Sequence, residues 1–257
     1  MKFIVLSDMH IGKSDNTERW HECVDWIIAN PTKHKSDVVI NSGDLSDDGS
    51  LYQFREGRKG IEKLESAGYT VLSVPGNHDY GFNGIIESQK SIELYNEHVG
   101  EWISYPYRYD VENTSFILLD SMKEEVRKTE VWGAQGELGE RQLRDLDYLL
   151  SEIEAESSKR KVVIVLHHHP FYRNYVLALR DRKLFKKVIT KEEKGESRVD
   201  CVVFGHKHKE HRFVDKEKKY SIGLIYASGA ASEPLRNGKL RVPIVDVSNN
   251  KVVTFDI

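Results

Sequence analysis

Five short clusters of carboxylate, amide and imidazole side chains occur along this sequence, and such side chains bind divalent transition-metal ions. The clusters are Asp8 to His10, Gly43 to Asp47, Gly76 to Asp79, His168 to Pro170 and Gly205 to His208. Each lies at the end of a short apolar run typical of a buried strand. Because ligands in α/β proteins bind outside the carboxyl ends of the strands, we expect the five clusters to meet there.

The spacing within the clusters favours two adjacent metal sites. In an extended chain residues i and i+2 point the same way, so Asp8 and His10 can face one cation. His206 and His208 can do the same, or can be divided between two cations. Seven candidate ligands are too many for one tetrahedral ion and suit two ions that share a carboxylate, for which Asp44 is the natural bridge. The candidates are Asp8, His10, Asp44, Asn77, His168, His206 and His208.

The elements that must position these clusters alternate between strand and helix patterns. Short β-branched runs predict buried strands at 3–6, 38–40, 71–74, 115–119, 162–166 and 201–204. Apolar residues at helical spacing predict helices around Trp20 and Phe54, and others at 85–99, 142–153 and 177–189. Residues 105–119 resemble a hairpin, and 211–257 an antiparallel meander. We therefore predict a single α/β domain over residues 1–257, with a mixed sheet.

Composition narrows the possible partners. The chain has 257 residues, 39% of them hydrophobic, and a formal net charge of −3. A nucleic-acid polymer is therefore not the expected partner. No stretch approaches the roughly 20 apolar residues of a membrane span, and the N-terminal apolar run is too short for a secretory signal. Cys23 and Cys201 fit buried free thiols in a reducing compartment, so we expect a cytoplasmic protein without membrane contact.

In chain order the clusters read Asp-x-His, Gly-Asp-x-x-Asp, Gly-Asn-His-Asp, His-x-Pro and Gly-His-x-His. This order, over positions 8 to 208, resembles that of the calcineurin-like metallophosphoesterase superfamily. The resemblance implies a four-layer α/β/β/α sandwich, in which two mixed β-sheets are flanked by helices. It also implies two metal ions at the strand ends.

The same resemblance implies a role for each matching residue. The first metal would be held by Asp8, His10, Asp44 and His208, and the second by Asp44, Asn77, His168 and His206. His78 would protonate the leaving group or clamp a phosphoryl oxygen, Asp79 would orient it, and Asp47 would support a metal-bound imidazole. Alignment to the proline favours His168, and His167 and His169 stay open as alternatives. Asn77 and His78 are candidate substrate contacts. Arg173 follows the His-x-Pro cluster and is a further candidate for phosphate contact, with packing or solvent exposure as the alternative.

Within the superfamily the chain is most similar to the class III cyclic-nucleotide phosphodiesterases and glycerophosphodiesterases. We therefore expect a phosphodiesterase for a small substrate with two divalent or mixed-valence ions, of Mn, Fe, Zn or Co. Two such ions can present a bridging water as hydroxide and clamp the phosphoryl oxygens. A phosphomonoesterase or phosphoprotein phosphatase with the same centre is the first alternative. A protein-binding scaffold without catalysis is the second.

Overall fold

The computed structural model describes residues 1–82, 84–122, 135–157, 159–172, 177–191 and 195–257. Within these ranges the strands are β1 (Lys2–Leu6), β2 (Val38–Asn41), β3 (Thr70–Ser73), β4 (Gly81–Phe82), β5 (Ile86–Glu87), β6 (Tyr107–Val111), β7 (Thr114–Leu118), β8 (Lys161–Val165), β9 (Thr190–Lys191), β10 (Glu196–Ser197), β11 (Cys201–Phe204), β12 (His211–Arg212), β13 (Leu224–Ala227), β14 (Arg241–Asp246) and β15 (Lys251–Asp256). The helices are α1 (Asn16–Ala29), α2 (Pro31–His34), α3 (Leu51–Ser66), α4 (Gln89–Tyr95), α5 (Gly139–Glu156), α6 (Arg182–Ile189) and α7 (Val214–Tyr220), with a π-helical turn at Asn96–Gly100.

Two large mixed sheets form the centre of the fold. The first has the strand order β15-β14-β1-β2-β3, and its strands β1, β2 and β3 are parallel. The second has the order β12-β13-β11-β8-β7-β6, and its four inner strands are parallel while both edge strands are antiparallel to their neighbours. The mixed character predicted from the sequence is confirmed.

Three apolar cores separate four layers. Along β1, Ile4 and Leu6 pack with Trp20 and other residues of α1 and α3, whereas Phe3 and Val5 pack in the core that also holds residues of the second sheet. Strand β8 divides its side chains in the same way between that shared core and α5 and α6. Because successive strand residues point to opposite faces, both sheets are covered on both sides. This is the predicted α/β/β/α order.

Three predicted elements differ from the structure. The expected helix at 85–99 begins only at Gln89, because residues 86 and 87 pair with β4 as a short ribbon. The expected helix at 177–189 begins at Arg182, and Ala178 instead bridges to His169. The tail is not a simple meander: it contains α7, and its strands are divided between the two sheets. The first two errors arise because a short local pairing replaces the first turns of a helix, whereas the tail was misassigned because local patterns do not specify which distant strand a segment pairs with.

Both cysteines are free thiols, as expected, and both are buried. Cys23 lies in the core between α1 and the first sheet, and Cys201 lies in the core between the sheets. In the part of the chain that the structure describes, no helix combines the length and the apolar character needed to cross a bilayer.

Candidate metal centre

The loops that follow β1, β2, β3, β8 and β11 converge on one buried group of side chains. Asp8, His10 and His208 offer ligand atoms that lie within 4.8 Å of one another, and so do Asp44, His167 and His206. A third group, His10, Asp44 and His78, connects the two. The sequence prediction that the strand ends bring these residues together therefore matches the structure, except at one histidine.

The first group is built on two imidazole nitrogens. Nε2 of His10 is 3.0 Å from Nε2 of His208, which is 3.5 Å from Oδ1 of Asp8. Nδ1 of His10 is 3.1 Å from Oδ1 of Asp47. The contact lacks hydrogen-bond geometry, but the Asp47 carboxylate favours a proton on the nearby Nδ1 electrostatically, and the other ring nitrogen, Nε2, faces the group. Asp47 therefore lies beside a candidate ligand, at the position where the resemblance implies a supporting carboxylate.

The second group is centred on Nε2 of His167. That atom lies 3.2 Å from each of three others: Oδ2 of Asp44, Oδ1 of Asn77 and Nδ1 of His206. On the other side of the ring, Nδ1 donates to the backbone oxygen of Ser42 at 2.9 Å. A carbonyl oxygen can only accept, so this bond fixes the tautomer whose Nε2 faces the group.

Asp44 is common to both groups. Its Oδ2 lies 3.2 Å from Nε2 of His167 and 3.9 Å from Nε2 of His10. Its Oδ1 accepts the backbone N–H of His78 at 2.9 Å. Burial alone would raise the pKa of the Asp44 carboxyl, but the positive charge available at His167 and His10 holds this pKa well below its ordinary range. Asp44 is therefore ionised and placed as the predicted bridge.

The centre stabilises positive charge. Burial would lower the pKa of His167, but the neighbouring Asp44 carboxylate outweighs burial and raises this pKa to about 9. Burial would also lower the pKa of His10, but the nearby carboxylates of Asp47, Asp44 and Asp8 outweigh it and raise this pKa. Carboxylates, imidazoles and one amide oxygen around a buried, cation-favouring space form a donor set that fits transition-metal ions.

The structure places His167 among the ligand atoms, whereas His168 belongs to none of the three groups although its ring lies beside that of His206, with centroids 4.5 Å apart. Nδ1 of His168 lies 2.9 Å from the Ser121 hydroxyl, which also accepts the backbone N–H of His168. His169 packs on Phe204, with ring centroids 4.4 Å apart, and burial with nearby positive charges lowers its pKa to about 3. Three consecutive side chains must point in different directions, and a motif aligned on the following proline does not reveal which one faces the site.

His78 and Asp79 have separate tasks. The ring of His78 donates from Nδ1 to the backbone oxygen of Asp47 at 2.7 Å. The buried Asp79 carboxylate accepts from the backbone and hydroxyl of Ser46, at 2.8 and 2.9 Å, and from the Gly76 N–H at 2.9 Å. Asp79 therefore holds the loops after β2 and β3 together. The resemblance implied that Asp79 would orient His78, but the ring is oriented by the backbone oxygen of Asp47.

Backbone strain is concentrated at the candidate ligands. Asp8, His10, Asp44, His206 and His208 all have φ between 47° and 74°. This left-handed region is unfavourable for residues with a side chain, and such strain clusters at functional sites. The extended geometry expected around Asp8 and His10 is therefore wrong. The two residues nevertheless face one group, and His206 and His208 are divided between the two groups.

Two glycines allow the loops to approach. A Cβ atom at Gly205 would lie 2.0 Å from the Ser7 hydroxyl oxygen, and one at Gly76 would lie 2.2 Å from Oδ1 of Asp44. Such distances are far below van der Waals contact, so only glycine fits at either position. The approach at Gly205 lets the backbone N–H of His206 donate to Asp8 at 3.0 Å, which joins the loops of the two sheets.

Arg173 and Glu233 belong to none of the five sequence clusters. Arg173, a predicted substrate contact, lies outside the described residues. Glu233, which the sequence did not suggest, lies 2.6 Å from Nδ1 of His208 through its Oε1. Since Glu233 is 25 positions beyond His208 and belongs to no motif, no local pattern could have identified it.

Comparison with known proteins identifies the family and the relatives that this chain resembles. A family model described as calcineurin-like phosphoesterase matches residues 1–210. The 3',5'-cyclic adenosine monophosphate phosphodiesterase CpdA of Vibrio vulnificus is 24% identical over 231 residues, which cover 84% of this chain and 73% of that enzyme. CpdA of Escherichia coli K12 is 29% identical over 142 residues, or 54% of this chain and 42% of that enzyme.

Solved structures share the fold at low sequence identity. A dimetal phosphatase from Danio rerio has a TM-score of 0.67 and 16% identity, with 100% of this chain and 95% of that chain covered. The purple acid phosphatase PPD1 from yellow lupin has a TM-score of 0.64 and 13% identity, with 100% of this chain and 53% of that chain covered. The sandwich predicted from the sequence is thus confirmed as a known architecture.

Proposed function

Because this chain belongs to the calcineurin-like phosphoesterase family and is thereby a metal-dependent phosphoester hydrolase, we propose that it hydrolyses small phosphodiesters, with cyclic nucleotides as the favoured class. The observation that carries the proposal is the pair of ligand groups joined by the buried Asp44. The names of the aligned relatives from Vibrio and Escherichia support the substrate class.

The proposed ligands follow from the two groups. Asp8, His10, Asp44 and His208 would hold one ion. Asp44, Asn77, His167 and His206 would hold the other, with His167 in the place first assigned to His168. When bound, two ions in such a site supply an activated water and neutralise the charge on the phosphoryl group. Mn, Fe, Zn and Co all remain compatible with this donor set.

Asn77 is oriented by the loop after β4. Its Nδ2 donates to the backbone oxygen of Gly84 at 3.1 Å, and its Oδ1 is then directed at Nε2 of His167. The amide therefore presents oxygen, the atom that binds a cation, toward the second group.

His78 is the proposed proton donor to the leaving group. Its Nδ1 is occupied by the Asp47 backbone oxygen, so Nε2 remains for the substrate. The side chain is 23% exposed at the edge of the centre, where a leaving-group oxygen can reach it. General acid catalysis of this kind contributes about 10²- to 10⁴-fold in rate. We keep Arg173 as a proposed phosphate contact.

The decisive experiment compares ester classes on one metal-loaded protein. The metal-stripped full chain is reloaded with Mn²⁺ and assayed with bis-(p-nitrophenyl) phosphate, p-nitrophenyl phosphate and cyclic AMP. We expect diester preference, cyclic AMP hydrolysis and about two ions per chain. His78→Ala should lose about 10²- to 10⁴-fold in kcat while it retains both ions. His21→Ala, a surface histidine paired with Glu56, is the matched control.

The other outcomes identify the alternatives. Preference for the mono-ester would replace the proposal with a phosphomonoesterase or phosphoprotein phosphatase. Absence of both turnover and bound metal would point to a non-catalytic scaffold. The cytoplasm is the proposed compartment, in keeping with the two buried free thiols.

A further inference from the structure

Glu233 lies in the loop between β13 and β14, beyond the residues 1–210 that the family model covers, yet it contacts a candidate metal ligand. Its Oε1 is 2.6 Å from Nδ1 of His208. A carboxylate has no proton to donate, so Nδ1 of His208 donates and the lone pair of the ring lies on Nε2. Nε2 is the atom that faces Asp8 and His10.

The loop that carries Glu233 is fastened to the loop after β1. The Ala231 N–H donates to the backbone oxygen of Ser7 at 2.9 Å, and the Ser232 hydroxyl donates to that of Asp8 at 3.1 Å. Arg19 of α1 donates to the backbone oxygen of Ser232 at 3.3 Å. The backbone next to Glu233 is therefore held close to Asp8 by contacts that do not involve the His208 ring, and from this backbone the half-exposed Glu233 side chain reaches the ring.

We propose that Glu233 is a positioning residue that orients His208 for the ion held by Asp8, His10 and His208. The inference rests on the proposed two-metal function. A carboxylate behind an imidazole fixes the ring and its tautomer and makes the opposite nitrogen a stronger ligand. Rotation of His208 away from this orientation would turn Nε2 from Asp8, so the contact keeps the first site preformed.

The two ions differ in how their histidines are supported. His10 and His208 are each backed by a carboxylate, of Asp47 and Glu233 respectively. His167, in the second group, is backed by the backbone oxygen of Ser42. A change at position 233 therefore acts on one ion and leaves the support of the other intact.

The test measures binding of Mn²⁺ to the metal-stripped full chain by calorimetry, for the wild type and three variants. Glu233→Ala should weaken one of two Mn²⁺ sites by about 10- to 100-fold and leave the other unchanged. Glu233→Gln retains an oxygen that can accept from Nδ1, so it should recover part of this loss. Glu152→Gln, an exposed glutamate on α5, is the matched control and should bind as the wild type does.

A second readout does not depend on metal. Nitrogen-15 spectra of the metal-free protein should show the proton of His208 on Nδ1, and Glu233→Ala should shift the ring toward a mixture of tautomers. Equal Mn²⁺ binding by Glu233→Ala and wild type would overturn the inference alone. So would equal weakening of both sites, because that result indicates loss of the loop structure. A wild-type chain that binds fewer than two ions would overturn the proposed function and the inference with it.

Discussion

Exchange of His167 and of His168, each for glutamine, provides the sharpest test of the proposed centre. Both rings are fully buried at the end of β8, and glutamine keeps polarity and similar length. His167→Gln removes the Nε2 atom that lies 3.2 Å from Asp44, Asn77 and His206. His168→Gln removes a ring whose Nδ1 contacts the Ser121 hydroxyl. We expect only the first change to abolish an ion.

The magnitude follows from the loss of a ligand atom at a ring position that favours positive charge. A pKa of about 9 for His167, against the ordinary 6.5, corresponds to roughly 3 kcal/mol in favour of positive charge at this ring. A cation held there benefits from the same Asp44 carboxylate. Loss of a supporting partner behind a ligand already costs 10- to 100-fold in metal affinity, so loss of a ligand atom should cost about 100-fold or more. For His168→Gln we expect the free energy of unfolding to fall by about 1 kcal/mol, which is the typical contribution of one hydrogen bond.

The assay is a Mn²⁺ titration of both variants and the wild type, accompanied by thermal unfolding. His167→Gln should bind one ion in the concentration range where the wild type binds two, and should lose diester hydrolysis. His168→Gln should bind two ions at near wild-type affinity. If instead His168→Gln loses an ion and His167→Gln keeps both, the placement of His167 in the centre is refuted, and the motif alignment to the proline was right.

Three further predictions test the surroundings of the site. Gly205→Ala should lower the affinity for Mn²⁺ in the same titration. Its Cβ would lie 2.0 Å from the Ser7 hydroxyl and push apart the loops that carry Asp8 and His206. An unchanged affinity would contradict the close approach of these loops. Asp181→Ala should lower the melting temperature by roughly 5–10 °C. Oδ2 of Asp181 accepts the backbone N–H groups of Leu138 and Gly139 at the start of α5. Loss of these charge-assisted hydrogen bonds costs about 2–3 kcal/mol. Asp181→Asn, which keeps an acceptor, should lose less. Burial raises the pKa of the Cys23 thiol to about 12 and also raises the pKa of the Cys201 thiol. A thiol reagent at pH 8 should therefore modify the two cysteines only after the chain is unfolded. One fast-reacting thiol in the folded chain would contradict the burial.

Sequence patterns identified the strands that carry the site because those strands are buried on both faces. Residues 3–6, 38–40 and 201–204 were predicted as strands and lie within β1, β2 and β11. Parallel strands covered on both sides appear as continuous apolar runs, and their ends are marked by the polar residues that follow. The tail could not be assigned in this way, because β13 pairs with β11 and β14 pairs with β1, and neither partner is close in sequence.

The orientation of each ligand ring depends on a contact that no local motif encodes. His10, His167 and His208 receive their Nδ1 partners from Asp47, the backbone of Ser42 and Glu233, each on a different segment from the ring. A motif can therefore specify which residue types reach the centre without specifying which nitrogen faces the ion. His168 illustrates the limit, since its identity fits the motif while its partner, Ser121, turns it elsewhere.

These partner contacts also join the two sheets at the site. The loop after β1 is bound to the loop after β11 through the N–H of His206 and the Asp8 carboxylate, at 3.0 Å. The loop after β2 is bound to the end of β8 through Ser42 and His167, at 2.9 Å. Each proposed ion takes ligands from both sheets, so the packing of Phe3 and Val5 against the second sheet fixes the distances between ligands. The apolar core between the sheets therefore acts on metal affinity as well as on stability, because a shift of one sheet would separate the ligands of both ions together.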